Sequence, residues 1–422
     1  MTAIVGILNK QAVAVAADSA VTIGFGQKIY NTANKIFTLS KHHPVGIAIF
    51  GTASYNCCVP WEIVVKMYRD QLGNTKKNTI KEYALDFFDY LDRYKKKYLT
   101  QDDINKALCR DVFDFWRVMV LNKKTNDLEN GFKIEELPDI KKRIAEIQGR
   151  CSSGMVLEQL KDIKKEDFLG AIHVILEIIA KQYSEAGADY GEDKDIIENV
   201  FFTVFTKKVY NIPNYSGLAF FGFGDDEIYP SLYSVRVYNS VVTASHWEDE
   251  AFDQVKEPPK DAYICPMAQK DEMFSYITGI NPYIEEAVFK TTEATYRLLL
   301  DTIAKLVVGK DDNLANNIKG IDLDALMEDY QKKIQGLKQT KMISPLMQTV
   351  STMGKEDLAE LAENLIYQTS LKRHITPNLE SVGGPVDVAV ISKGDGFIWI
   401  KRKHYFNSDL NRTFFDNYFE HK

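Results

Sequence analysis

Short apolar runs rich in Val, Ile and Ala stand at both ends of this chain and in its middle, with long helical patterns between them. No other feature limits the fold as much. Residues 3–8, 12–18 and 45–50 read as strands, separated by NKQ and by polar loops. Strands return at 217–224 (GLAFFGFG) and at 231–245 (SLYSVRVYNSVVTAS). The last two are VDVAVISK and FIWIKRKHYF, whose connecting GDG at 394–396 is a hairpin signal. Early and late strands are therefore expected to pair, giving one α+β domain over 1–422 with helices inserted, rather than a row of separate modules.

The helical part is legible from periodicity. VPWEIVVKMYRDQLG (59–73) has helical spacing, with Gly73 placed as a C-cap. From about 78 to 210 the pattern is mostly helical and Phe, Tyr and Trp recur at intervals of three and four, as core stripes do, and a second helical block covers about 270–373.

Composition excludes several functions. The net charge is -7 and no block of like charges occurs, so no nucleic-acid partner is expected. The most basic run, KRKH at 401–404, reads as a solvated strand end. No stretch approaches the roughly 20 apolar residues of a membrane span, and the start lacks the features of a signal peptide. The five cysteines, Cys57, Cys58, Cys109, Cys151 and Cys265, form no CxxC pair and fit free thiols in a reducing, cytoplasmic setting. HWEDE (246–250) sets His246 near Glu248 but reads as an exposed loop after a strand, not as a metal site. Neither a metal nor an organic cofactor is called for.

The second residue carries the chemistry. If Met1 is removed, as methionine aminopeptidases do before small residues, Thr2 begins the chain. A Thr hydroxyl needs an adjacent base. Its own α-amine, with a pKa of roughly 7.7–8.0, can take the proton directly or through one water. A nearby Lys ammonium would lower that amine, and an acid would hold the Lys in place. VAVAADSAVTIG puts Asp18 at the end of a strand, NTANKIFTLS puts Lys35 at the start of another, and VGIAIFGTAS ends a strand at Gly51, where a backbone N–H could serve an oxyanion. Lys28 rivals Lys35 for its role, Gly51 could serve backbone geometry alone, and Asp387 is expected as a hydrogen-bonded structural residue of the last sheet.

The series TAIVGI, VAVAADSAVTIG, NKIFTLS and VGIAIFGTAS resembles the opening of proteasome β-type subunits and of the peptidase of the bacterial two-component ATP-dependent protease, which are N-terminal nucleophile (Ntn) hydrolases. GGPVDVAVISKGDGFI (383–398) and FGFGDDEIYPSLYSV (221–235) are similar to later parts of that family, so the likeness spans roughly 1–73, 200–245 and 355–406. It implies a four-layer αββα sandwich with helical insertions at about 78–200 and 270–350. It also implies Thr2 as nucleophile, Asp18 and Lys35 as its tuning pair, and Gly51 as the oxyanion donor. The activity implied is cleavage of a peptide or amide substrate through an acyl-enzyme, in a homo-oligomer, a ring being one form it could take; an ATPase partner is left open.

Two departures stand out. The family's Gly-Ser-Gly-Ser turn is missing from AYICPMAQKDE (262–272), where Gln269 is the neutral hydrogen-bonding candidate. The family's Asp-x-x-Ser-Gly-Gly becomes NLESVGG, which with one residue of slack offers Asn378 and Ser381. Ser381 is retained as a site candidate. Two alternatives therefore stay open: a proteasome-fold scaffold without catalysis, and a small-molecule amidase or acylase of the same superfamily.

Overall fold

The computed structural model describes residues 2–23, 28–123, 131–208, 212, 214–258, 260–308, 311–376 and 382–413. Strands β1 (Ile4–Asn9) and β2 (Ala12–Ala17) are buried along their whole length, and their two faces go to different places. Ile4, Leu8, Val13, Val15 and Ala17 join an apolar cluster with Ala48, Phe50, Ala219, Phe221 and Leu232. Ala3, Val5, Ile7, Ala12, Ala14 and Ala16 join another with Leu358, Ala362, Leu365 and Ile366. A strand buried on both faces reads as a continuous apolar run, which is how the first strands appear in the sequence.

The other main strands are β3 (Ile36–Thr38), β4 (Val45–Gly51), β5 (Ser216–Gly222), β6 (Ser231–Val241), β7 (Ala244–Gln254), β8 (Ala262–Ala268), β9 (Asp387–Ser392) and β10 (Gly396–Lys401). They form two five-stranded sheets in the orders β8-β1-β2-β9-β10 and β7-β6-β5-β4-β3, with antiparallel pairing throughout. The sheets meet through the cluster that holds Ile4 and Phe221. Gly6 marks how close they come, because a Cβ there would lie 2.6 Å from Leu232. The expected pairing of early with late strands is found: Ala17 lies opposite Asp387, across the β2–β9 ladder.

Helices cover the outer faces. Trp61, Val64 and Tyr68 of α1 (Trp61–Leu72) and Tyr83 and Phe87 of α2 (Ile80–Tyr94) pack with Ile47, Ile49, Leu218, Phe220 and Tyr233 of the second sheet. Gly73 ends α1 at φ +51 and donates to the Arg69 carbonyl, as its spacing predicts. Five further helices, α3 (Gln101–Phe115), α4 (Leu137–Ser152), α5 (Lys165–Ala171), α6 (His173–Glu185) and α7 (Lys194–Thr206), contribute to a fourth core around Phe115, Trp116, Phe168 and Phe201. Strand β6 anchors that core with Tyr238 and Val241. After β8 come α8 (Lys270–Thr278), α9 (Pro282–Val307), α10 (Asp312–Lys319), α11 (Leu323–Lys338), α12 (Ser344–Thr352) and α13 (Lys355–Ile375). Met273, Val350, Leu358 and Ile366 from this group lie over the outer face of β1 and β2. Among the described residues no helix is long and apolar enough to cross a membrane.

Three readings are corrected. The single strand expected over 231–245 is a hairpin that turns at Val242, which adopts φ +56. HWEDE is not an exposed loop but the first half of β7, and His246 is 1% exposed. The strand β8 has no counterpart among the expected strands; Pro266 hid it, and it is tolerated because β8 is the edge of its sheet.

Candidate active site

The site begins with the way β1 and β2 end. The Asp18 N–H donates to the Ala3 carbonyl at 3.1 Å, and the Ala3 N–H donates back to Asp18 Oδ1 at 2.9 Å. Thr2, 9% exposed, is therefore held one residue ahead of a reciprocal clamp. Asp18 Oδ2 accepts two more backbone donors, the N–H of Ala20 and that of Gly383, each at 3.1 Å. Lys35 Nζ completes the set, 2.6 Å from Asp18 Oδ1 and 2.6 Å from the Ala20 carbonyl. One buried carboxylate thus gathers the start of the chain, the segment after β2, the lysine before β3 and the glycine before β9.

Both partners are sealed from water, Asp18 to 1% and Lys35 to 4% exposure. Burial lowers the Lys35 pKa below its ordinary value, against the charge and hydrogen bond of Asp18, which raise it. A second pair stands nearby. Asp387 accepts from Lys403 Nζ and, at 2.9 Å, from the Lys403 backbone N–H. The Lys403 charge lowers Lys35 further while that of Asp387 raises it. Asp387 is a hydrogen-bonded residue of the last sheet, as expected. Lys403 corrects the reading of KRKH as a wholly solvated end, because its side chain is 12% exposed.

Gly51 ends β4 opposite Ser216, with φ +75. A Cβ there would lie 2.3 Å from the Tyr215 carbonyl oxygen, so backbone geometry alone requires glycine. Among the described residues no hydrogen bond ties Gly51 to Asp18 or Lys35. The Lys35 carbonyl does accept from Ile49 N–H at 2.8 Å, which fixes the lysine to the strand that Gly51 ends. Ser19 is structural: its N–H donates to the Gly383 carbonyl and its hydroxyl to that of Pro385. Gln269 heads α8 in the left-handed region at φ +51. Ser381 and Asn378, Met1, and the Lys28 side chain lie outside the described residues.

Sequence reasoning missed the backbone partners Ala20 and Gly383 and the Lys403 side chain. The Gly-Gly run and the basic run are the visible signs of two of them. It also missed a cleft of about 170 Å³ beyond Gly51, lined by Thr52, Cys57, Arg110, Asp114, Asn214 and Asn239 among others. Beside it Asp111 is buried, with Asn239 Nδ2 donating at 2.9 Å and Asn214 Nδ2 at 3.4 Å. Burial pushes the Asp111 carboxyl up to about 7.

No family model and no curated protein matches the chain. Among solved structures it is similar to the Anbu (Gly-1) mutant from Hyphomicrobium sp. strain MC1, at 10% identity and a TM-score of 0.29, over 99% of this chain and 94% of that one. Anbu (ancestral beta-subunit) from Yersinia bercovieri aligns at 8% identity and 0.28, over 98% and 94%. The helical assembly of the Anbu complex from Pseudomonas aeruginosa aligns at 8% and 0.27, over 99% and 93%. At these scores the likeness carries none of the functional assignment.

Proposed function

We propose that this chain is a proteasome-type Ntn hydrolase, a single αββα domain over 1–422 with helical insertions at about 78–200 and 270–350, which cleaves a peptide or amide bond in the cytoplasm. Thr2, freed by removal of Met1, is the nucleophile. The observation that carries this reading is the Asp18 carboxylate holding the Ala3 N–H at 2.9 Å and Lys35 Nζ at 2.6 Å, which brings a buried lysine to the start of the chain.

In this reading the Thr2 α-amine takes the hydroxyl proton as Oγ attacks the substrate carbonyl carbon. Lys35, kept charged by Asp18, favours the neutral, basic form of that amine. The tetrahedral oxyanion is met by the Gly51 N–H. Collapse breaks the C–N bond, the protonated amine gives its proton to the leaving nitrogen, and water then hydrolyses the Thr2 ester by the reverse proton path. Ser381 is kept as a further catalytic candidate, on its match to the family's Asp-x-x-Ser-Gly-Gly with one residue of slack. The two facing antiparallel sheets with helices outside support the fold assignment.

The test is the intact mass of the purified protein before and after treatment with an epoxyketone or β-lactone. Loss of Met1 and a single adduct on Thr2 are expected. A chain that keeps Met1 and takes no adduct overturns the assignment.

A catalytically silent scaffold of the same fold is the second reading. Gln269 favours it, because it occupies a left-handed backbone position near which the resemblance implies small hydroxyl residues. Retention of Met1 would support this reading.

A further inference from the structure

The cleft beyond Gly51 lies where the helices that follow α2 meet the second sheet. Helix α3 gives it Arg110 and Asp114, β6 gives Asn239, and the turn after β4 gives Cys57. That turn is fixed in place. Asn56 and Cys57 both take positive φ, +48 and +57, a costly backbone for residues with side chains. Asn56 holds it there: its Oδ1 accepts the Ser240 N–H at 2.7 Å and its Nδ2 donates to Ser240 Oγ at 3.1 Å.

Two opposite charges line this cleft without meeting. Arg110 and Asp114 stand four residues apart on α3, a spacing at which such a pair can close. Among the described residues no ion pair joins them; Arg110 feels Asp114 only at a distance. Asp114 is engaged by Asn214, whose Nδ2 donates to it at 2.7 Å. Arg110 lies beside the Cys57 thiol, the group that acts on it most strongly. A thiol is a weak acceptor, so the guanidinium keeps a fork of donors for a carboxylate.

Asp111, one turn before Asp114, adds a second acid. It is 1% exposed and accepts from amides, Asn239 Nδ2 at 2.9 Å and Asn214 Nδ2 at 3.4 Å. Asn214 thus bridges the two carboxyl groups, and among the described residues neither of them forms an ion pair. Burial with no cation in contact is what pushes the Asp111 carboxyl up to about 7. An ammonium group beside Asp114 would supply the opposite charge.

Size and walls narrow the ligand. About 170 Å³ is well below the roughly 300–1,000 Å³ of a pocket for a drug-sized molecule. Two carboxyl groups against one guanidinium disfavour a phosphate. Val237 and the rings of Tyr215 and Tyr238, 6.2 Å apart, give an apolar wall suited to a neutral side chain.

We propose that this cleft binds a free α-amino acid with a neutral side chain, its carboxylate on the Arg110 guanidinium and its ammonium on Asp114. The site is separate from the Thr2 reading and does not rest on it.

Isothermal titration calorimetry of the full chain tests it, with glycine, L-leucine and L-phenylalanine as probes. At least one is expected to bind at one per chain. Its amide, which lacks the carboxylate, and its N-acetyl form, which lacks the ammonium, should each bind about tenfold more weakly or worse, the loss of one charge-assisted contact. Arg110→Gln should reduce the amino acid to the affinity of its amide, and Asp114→Asn to that of its N-acetyl form. Arg110 is exposed, so the fold tolerates its replacement. No binding of any of the three at about 5 mM, weaker than any useful affinity, overturns the proposal. So does an amide or an N-acetyl form that binds as tightly as its parent, or a parent indifferent to both variants.

Discussion

Asp18 Oδ1 lies 2.6 Å from Lys35 Nζ, with side chains 1% and 5% exposed. A pair so sealed gains little over an apolar replacement of both members, but breaking it strands a charge. Because Asp18 also accepts the N–H groups of Ala3, Ala20 and Gly383, the two residues act on the same backbone. Lys35→Met is expected to cost about 3 kcal/mol and Asp18→Asn about 4 kcal/mol. The double variant should cost less than their sum by about 2 kcal/mol. Equilibrium denaturation of the three variants measures this, and simple additivity would show that the two residues are independent.

Gly51→Ala adds a methyl where the Tyr215 carbonyl oxygen would be 2.3 Å away, at φ +75. A loss of at least 2 kcal/mol is expected, roughly 1 from the left-handed backbone and the rest from displacing β5. A thermal shift of less than a degree would mean that the strand end yields freely.

His246 sits in β7 with both ring nitrogens buried and, among the described residues, unpartnered, and its ring lies 4.6 Å from that of Tyr238. Burial lowers its pKa to about 3. Its folded value is depressed, so the neutral ring stabilises the fold above about pH 6.5, and that contribution is lost as pH falls toward 3. The full swing is about 5 kcal/mol. His246→Phe is expected to match the wild type near pH 8 and to exceed it increasingly below pH 6. Parallel stability curves for the two proteins between pH 4 and 8 would refute this.

Asp111 has the opposite sign. Its folded pKa is raised to about 7, so its contribution is complete below pH 4 and is lost as pH rises through 7, a change of about 4 kcal/mol. Asp111→Asn removes the titrating group and should flatten the stability curve between pH 5 and 8. Urea midpoints at those two pH values, compared with the wild type, settle the matter.

What could be read from the sequence was the short apolar runs and the residues at their edges. Asp18 and Lys35 are legible because each stands at the edge of a short apolar strand, and a strand edge delivers its side chain to the end of a sheet. The pairing of β2 with β9 was legible because both runs are apolar on both faces, which only an interior strand explains. The β6–β7 turn was not, because Val242 takes a left-handed conformation where glycine or asparagine is the usual sign. With the turn hidden, His246 looked exposed. Lys403 was missed because a basic run at a strand end looks the same whether one of its members turns inward or all face water. Gly383 was missed as a ligand of Asp18 because its backbone N–H, not its side chain, makes the contact.

The place of β1 and β2 in their sheet sets a problem of timing. Their outer neighbours are β8, which pairs Ala268 with Ile4, and β9, which pairs Asp387 with Ala17. During synthesis the two strands emerge before either partner, and β9 follows β2 by roughly 370 residues. At ordinary elongation rates that is roughly 20 to 70 seconds. Both edges of this Ala- and Val-rich ribbon are open until β8 is made, and the β2 edge stays unpaired until β9 follows. The nascent chain must be sheltered by a chaperone or by its own helices. A ribosome that stops before Asp387 releases a product with an unpaired β2 edge, a ready template for aggregation.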